Sequence, residues 1–336
     1  MLIVVCRPIG EFVVNLVGAD PVINSIARDY FNIRIWSAPG TLTSYALIGW
    51  FLGTQNARVP FVIFLTINVT NIVLDLVFVL GLGMQVEGVA LASVIAEYAG
   101  AAVGAAFVVG TLRRHPGDWL AGKLTGIGEY AAFFSVNSNL FIRTLALMFT
   151  LTFVTAQGAR MGGTILAANA LLMNLQNLTA FALDGIAHAA EALVGKAIGA
   201  GRRDALEASV RLTLRWSLWF AVGLSLSYVV LGPVMVHVLT DLAEVRAAAF
   251  RYLPWLSASP LVSVWSFLYD GVFVGATRAR EMRDIMLASA VVFLITWWLT
   301  VSYGNDGLWF SFLVFLAARG LGMHVFYRRV VLPAAG

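Results

Sequence analysis

The 336-residue chain has little charge and one thiol: 12% of its residues are charged, and Cys6 is the single cysteine. One cysteine cannot close an internal disulfide and is too few for a thiolate metal site. The four histidines (His115, His188, His237 and His324) are scattered, with no metal-ligand spacing among them. No HExxH, GxxxxGKS/T or GxSxG run occurs, which counts against a metalloprotease, an NTPase and a serine hydrolase. Apolar residues fill the place of the missing charge, at 60% of the chain and a mean hydropathy of +0.85. A soluble domain is about 45–50% apolar and about 25% charged. Folded in water, a chain of this length would leave much of that surface exposed and would aggregate. Composition therefore excludes a soluble enzyme, disorder, collagen and coiled coil, and makes lipid the solvent.

About 20 apolar residues suffice to cross the hydrocarbon core as a helix. Runs of that kind predict spans at 29–55, 59–83, 86–112, 128–156, 164–197, 206–234, 247–276, 284–303 and 307–327. Glycine, proline and charge mark the joints, as at Arg58-Val59-Pro60, His115-Pro116-Gly117, Gly199 to Arg203 and Gly304 to Gly307. The opening stretch, from Met1 to about Gly18, is apolar but broken by Arg7, Pro8 and Glu11, and it lacks the parts of a signal peptide. It reads as the tail of a span. Basic residues set orientation. Alternate joints hold Arg58; Arg113, Arg114 and Lys123; Lys196, Arg202 and Arg203; Arg278, Arg280 and Arg283; and Arg328 and Arg329, twelve in all. The intervening joints hold four: Arg28, Arg160, Arg246 and Arg251. The first set, and with it the C-terminus, is expected in the cytoplasm. No single basic face is left for nucleic acid.

Residues 49–58 (GWFLGTQNAR) and 271–280 (GVFVGATRAR) share five identities in ten at an offset of 222. Both end a span that leaves toward the same side, six spans apart. Six is even, so the halves run in the same direction, a parallel repeat about the membrane normal. Continued backward, the offset implies that the first copy lacks roughly 95 residues. The expected architecture is all-α and polytopic: two six-helix bundles in parallel repeat, the first incomplete. The boundaries are a partial N-terminal bundle at 1–112 (the tail of its third helix and helices four to six), a cytoplasmic linker at 113–127 and a C-terminal bundle at 128–336.

Five carboxylates fall inside spans: Asp75, Glu97, Asp184, Glu191 and Asp270. A charge at mid-bilayer costs about 2.5–3.5 kcal/mol on the insertion scale. Such groups line a cavity, meet a basic partner or stay protonated. Asn68, Asn71 and Asp75 stand at i, i+3 and i+7, on one helix face. Their amides can donate to the carboxylate or join it in holding a cation, or the three can simply bond neighbouring helices. Asn174, Asn177, Asp184, His188 and Glu191 form a longer stripe on one face. Asp184 and His188, one turn apart, are placed to share a proton, although a lone histidine also suits plain packing. Asp270 sits in Tyr269-Asp270-Gly271, just before the repeated segment. Arg34, Arg143 and Arg319 lie within spans, and Arg143 is the expected internal counter-ion, its partner unspecified. Trp36, Trp50, Trp216, Trp219 and the pair Trp297-Trp298 read as interface anchors. Met148, Met161 and Met173 read as apolar fill, and Ser93, Ser135, Ser138 and Ser225 as packing hydroxyls.

Several runs resemble one family. The segment from Tyr269 to Arg283 (YDGVFVGATRAREMR) is similar to the tenth helix of MATE (multidrug and toxic compound extrusion) transporters, in their DinF (DNA-damage-inducible protein F) branch. Asn71 to Asp75, followed by Val86 to Ala92, resembles the fifth-to-sixth helix region. Ala182 to Gly185, through Glu191 and Gly199-Ala200, resembles the eighth helix. The resemblance runs over residues 1–330. It implies two six-helix bundles around a cavity that opens alternately to either side. It implies a non-enzymatic antiporter that exports lipophilic, often cationic, compounds against inward protons or sodium, with no cofactor. It places the chain as a monomer in the bacterial plasma (inner) membrane, with lipid and small substrates as partners and no nucleic acid. Asn71 and Asp75 match the family's polar pair for the coupling ion, H+ or Na+, while its acidic residue on the first helix has no counterpart here. The binding set is then Asn68, Asn71, Asp75, Asn177, Asp184, His188, Glu191 and Asp270, with Arg143 as counter-ion. The alternatives are a non-functional fragment of such a transporter, or a flippase for lipid-linked saccharides, which would want a more basic cavity.

Overall fold

Backbone polar groups in hydrocarbon must bond within their own segment, so the apolar runs form helices. The computed structural model describes residues 21–114 and 127–333 and contains no strand among them. In a first compact unit, residues 1–120, lie α1 (Pro21–Arg34), α2 (Ala38–Gly53), α3 (Arg58–Asp75) and α4 (Val86–Arg114). In the second, residues 121–336, lie α5 (Ile127–Arg160), α6 (Gly163–Gly199), α7 (Arg203–Leu239), α8 (Ala243–Gly275), α9 (Ala279–Thr300) and α10 (Asn305–Phe326). The opening stretch and residues 115–126 of the expected linker lie outside the described residues.

Seven described helical segments are long and apolar enough to span a bilayer: α3 with its extension to Gly81, α4, α5, α6, α7, α9 and α10. Two of the spans read from sequence differ. The span placed at 29–55 is a jointed rod, α1 and α2 linked by one 3-10 turn at Ile35–Ser37. Pro39, in the first turn of α2, has no N–H to continue the ladder from α1. The span placed at 247–276 is the longer α8, less apolar than the other seven segments; it packs against α6, α7 and α10 and meets protein on most sides. Its buried Ser257, Ser259 and Ser266 donate to carbonyls of their own helix, at Leu253, Leu256 and Ser263. These three hydroxyls are satisfied within the helix, whereas the buried Ser263 Oγ has no partner among the described residues.

In the first unit α4 packs on α1, α2 and α3 around Ile48, Phe51, Val59 and Ile63. In the second unit the core divides into two main clusters. One is built around Leu172, Tyr228, Leu256, Phe293 and Phe315, the other around Val194, Leu206, Phe273, Met282 and Met323. Trp297, expected as an interface anchor, is 8% exposed and packs edge-on against Phe153, whereas its neighbour Trp298 is 75% exposed. Successive residues on a helix point about 100° apart, so one tryptophan of the pair goes inward.

The repeated segments share their geometry bond for bond. After α2, Gln55 N–H donates to Leu52 O and Asn56 N–H to Phe51 O; after α8, Thr277 N–H donates to Val274 O and Arg278 N–H to Phe273 O. This is the Schellman ending, and its left-handed position is Gln55 (φ 60°) in one copy and Thr277 (φ 55°) in the other. Upstream the copies differ in surroundings. A Cβ at Gly271 or Gly275 would strike the carbonyl oxygen of Ala187 or Glu191, so α8 lies directly on the backbone of α6. At Gly49 and Gly53 nothing among the described residues lies within 4 Å of such a Cβ.

Candidate functional site

The span carboxylates fall into three settings. In the first unit, Asp75 closes α3 where the backbone passes into a π-helical stretch, Leu76–Gly81. Widened turns of this type recur at functional sites. The Asp75 Oδ1 atom is buried with no hydrogen-bond partner. Asn71, one turn earlier, donates through Nδ2 to Ser93 Oγ of α4 at 3.3 Å, which ties α3 to α4. Asn68 does not join them: it is exposed and donates to Phe64 O of its own helix at 2.8 Å. The sequence spacing placed all three on one face, but the drift of the helix leaves Asn68 at the margin and gives its amide a nearer backbone acceptor. Glu97 is 3.7 Å from Arg34, a structural pair.

The second setting is a cavity of about 310 Å³ inside the second unit, lined by Arg143 of α5, Gln176, Asn177 and Asp184 of α6, Asp270 of α8 and Arg319 of α10, with an apolar wall that includes Met173, Phe267 and Phe315. The Asp270 Oδ2 atom accepts from Arg143 Nη2 at 2.5 Å and from Arg319 Nη2 at 2.7 Å. Arg143 thus serves as the counter-ion the sequence suggested, and Arg319, 2% exposed, is a second that the sequence could not rank. The Oδ1 atom of Asp270 and both Nε atoms of the arginines are buried without partners. Asp184 lines the same cavity and feels the charges of Asp270, His188, Arg319 and Arg143.

From sequence, Asp270 is open to an ion-binding role or to pairing with an arginine, and the structure shows two arginines on it. Two guanidiniums already sit on one of its oxygens.

The third setting is at the far end of the α6 stripe. His188 Nδ1 lies 3.3 Å from Glu191 Oε2, and the histidine side chain is 63% exposed. The expected Asp184–His188 pair is therefore not formed; the imidazole turns along the helix toward Glu191 instead. Asn174 is exposed, while Asn177 reaches the cavity. Sequence reasoning also passed over the buried amides that lock α6 to its neighbours. Asn169 and Asn305 exchange hydrogen bonds of 2.7 and 2.9 Å, Trp309 adds a third, and Ser259 donates to Gln176. Their signal was present: an amide in a span needs a partner.

These features define a multi-pass, all-helical membrane protein with ionisable groups held away from lipid. The MatE family model matches residues 1–77 and 140–299. DNA damage-inducible protein F of Escherichia coli (strain K12) is 40% identical over 324 residues, 96% of this chain and 70% of that protein. Protein DETOXIFICATION 43 of Arabidopsis thaliana is 25% identical over 299 residues, and the chain spans 56% of its length. Among solved structures, the Vibrio cholerae MATE transporter VcmN in the bent form superposes with a TM-score of 0.87 at 20% identity, over 99% of this chain and 76% of that one. The chain belongs to the MatE family, whose members are transporters and not enzymes.

Proposed function

We propose that the chain is a secondary antiporter that exports small lipophilic or cationic compounds in exchange for protons or sodium ions by alternating access. The observation that carries this reading is the buried carboxyl oxygen of Asp75, without a partner among the described residues, in a membrane span. A carboxylate left without a partner in hydrocarbon is held there for a mobile cation. Asn71, one turn away, supplies an amide oxygen on the same helix. Binding of H+ or Na+ removes the charge that a cationic substrate needs, and the difference in affinity between the two states shifts the population toward release. The two units act as the two bundles, the chain works as a monomer in the bacterial inner membrane, and the C-terminus faces the cytoplasm, a reading the twelve-to-four split of basic residues supports.

The test is substrate-driven proton or sodium flux in proteoliposomes. Asp75→Asn is expected to abolish coupled flux while the protein remains folded. Unchanged coupling in that variant would remove Asp75 from the mechanism.

A further inference from the structure

The second unit carries a groove of about 400 Å³ on its surface, between α8 and α10. We infer that it seats one acyl chain of an anionic phospholipid, whose headgroup is held by Arg328 and Arg329. Gly320 of α10 makes the floor: a Cβ there would lie 2.8 Å from the Cβ of Trp265 on α8, so the two helices touch at that point. Val262 and Ala317 line the walls, and the exposed Leu261 and Leu321 form an apolar rim. Such a rim suits lipid tails, which are as apolar as leucine. His324 is the ionisable group of the lining. Its Nδ1 lies 2.6 Å from the buried Tyr269 hydroxyl, which fixes the imidazole toward the C-terminal end of α10. Arg328 follows four residues later, exposed beside Arg329 in the π-helical end of the same span. Neither arginine takes part in an ion pair among the described residues. Glu207, the α7 carboxylate that acts with Arg328 on Tyr327, is already paired with Arg203 at 3.1 Å. Ala317 to Arg328 spans roughly 16 Å of helix at ~1.5 Å per residue, about half of a ~30 Å hydrocarbon core. The groove is thus one leaflet deep, with its free positive charges at headgroup level. Guanidiniums take phosphate oxygens in two-point contact, and basic residues at that depth attract anionic lipid. The site stands on these residues and does not depend on the coupling role given to Asp75.

Native mass spectrometry of the purified, delipidated chain, titrated with dioleoyl phosphatidylglycerol or dioleoyl phosphatidylcholine, tests this. The first phosphatidylglycerol is expected to bind at least about tenfold more tightly than the first phosphatidylcholine. The double change Arg328→Gln and Arg329→Gln should erase that preference and leave phosphatidylcholine binding as it was. Ala317 is exposed in the groove, so Ala317→Phe fills it without entering the core and should weaken both lipids. Val238→Phe, at an exposed α7 position outside the groove, should weaken neither. The inference is overturned if phosphatidylcholine binds as tightly as phosphatidylglycerol, if the preference survives the loss of both arginines, or if Ala317→Phe binds lipid like the parent. It is equally overturned if Val238→Phe weakens binding as much as Ala317→Phe, since the lipid would then be a general coat and not the occupant of one groove.

Discussion

Three carboxylates that look alike on paper have three different energetic situations. Asp270 pairs with two arginines, one of them almost fully buried. Breaking a buried pair by removing one partner costs about 3–5 kcal/mol, because the other charge is left uncompensated. Asp270→Asn should therefore lower the thermal midpoint in detergent strongly, whatever it does to transport. Asp75 has no partner to abandon. Its replacement by asparagine breaks no hydrogen bond, so the midpoint should stay while coupled flux is lost. Glu191 pairs with an exposed histidine, and exposed pairs are worth about 0–1 kcal/mol. His188→Ala should leave stability and flux within error. Measuring the three midpoints side by side separates structure from transport; equal effects at Asp75 and Asp270 would contradict the assignment.

The helix-level lesson is that identical sequence motifs can sit in unequal surroundings. Gly49 and Gly271 are the same residue in the two copies of the repeat, and both precede the same Schellman ending. Only Gly271 lies on the backbone of a neighbour, where an added Cβ would strike Ala187. Gly271→Ala must push α8 off α6 and should cost about 1–3 kcal/mol, as overpacking does. Gly49→Ala meets open space among the described residues and replaces a weak helix former by the best one. Thermal melts of the two variants should therefore diverge in sign. At the helix end, Thr277 holds a left-handed φ of 55°, a strained state for a β-branched residue. Thr277→Gly should stabilise by about 1 kcal/mol, the strain of that state less the entropy of glycine.

For the molecule as a whole, the distribution of basic residues predicts which way the chain faces. The joints rich in Lys and Arg alternate with joints that hold few, so Arg280 is expected on the cytoplasmic side and Ser302, at the other end of α9, on the opposite one. In a Cys6→Ser background, a membrane-impermeant maleimide added to intact cells should label Ser302→Cys and not Arg280→Cys. The reverse pattern would invert the topology. The comparison with known transporters settles the family without depending on that orientation.

The membrane as solvent, the helical class and the family were legible from sequence, because hydropathy over some twenty residues and a few spaced motifs are local properties. The alignment of Asn71 and Asp75 was legible for the same reason, since helical spacing is local. What stood out of reach was every pairing across helices. Arg143, Asp270 and Arg319 come from three separate helices with more than 100 residues between the first two, and only their packing decides that one carboxylate oxygen takes two arginines. It likewise decided that Trp297 turns inward and that His188 bonds Glu191 rather than Asp184. A helix fixes which residues share a face; which face meets which neighbour is set by the fit of whole helices, and that fit set one aspartate against two arginines in a single cavity.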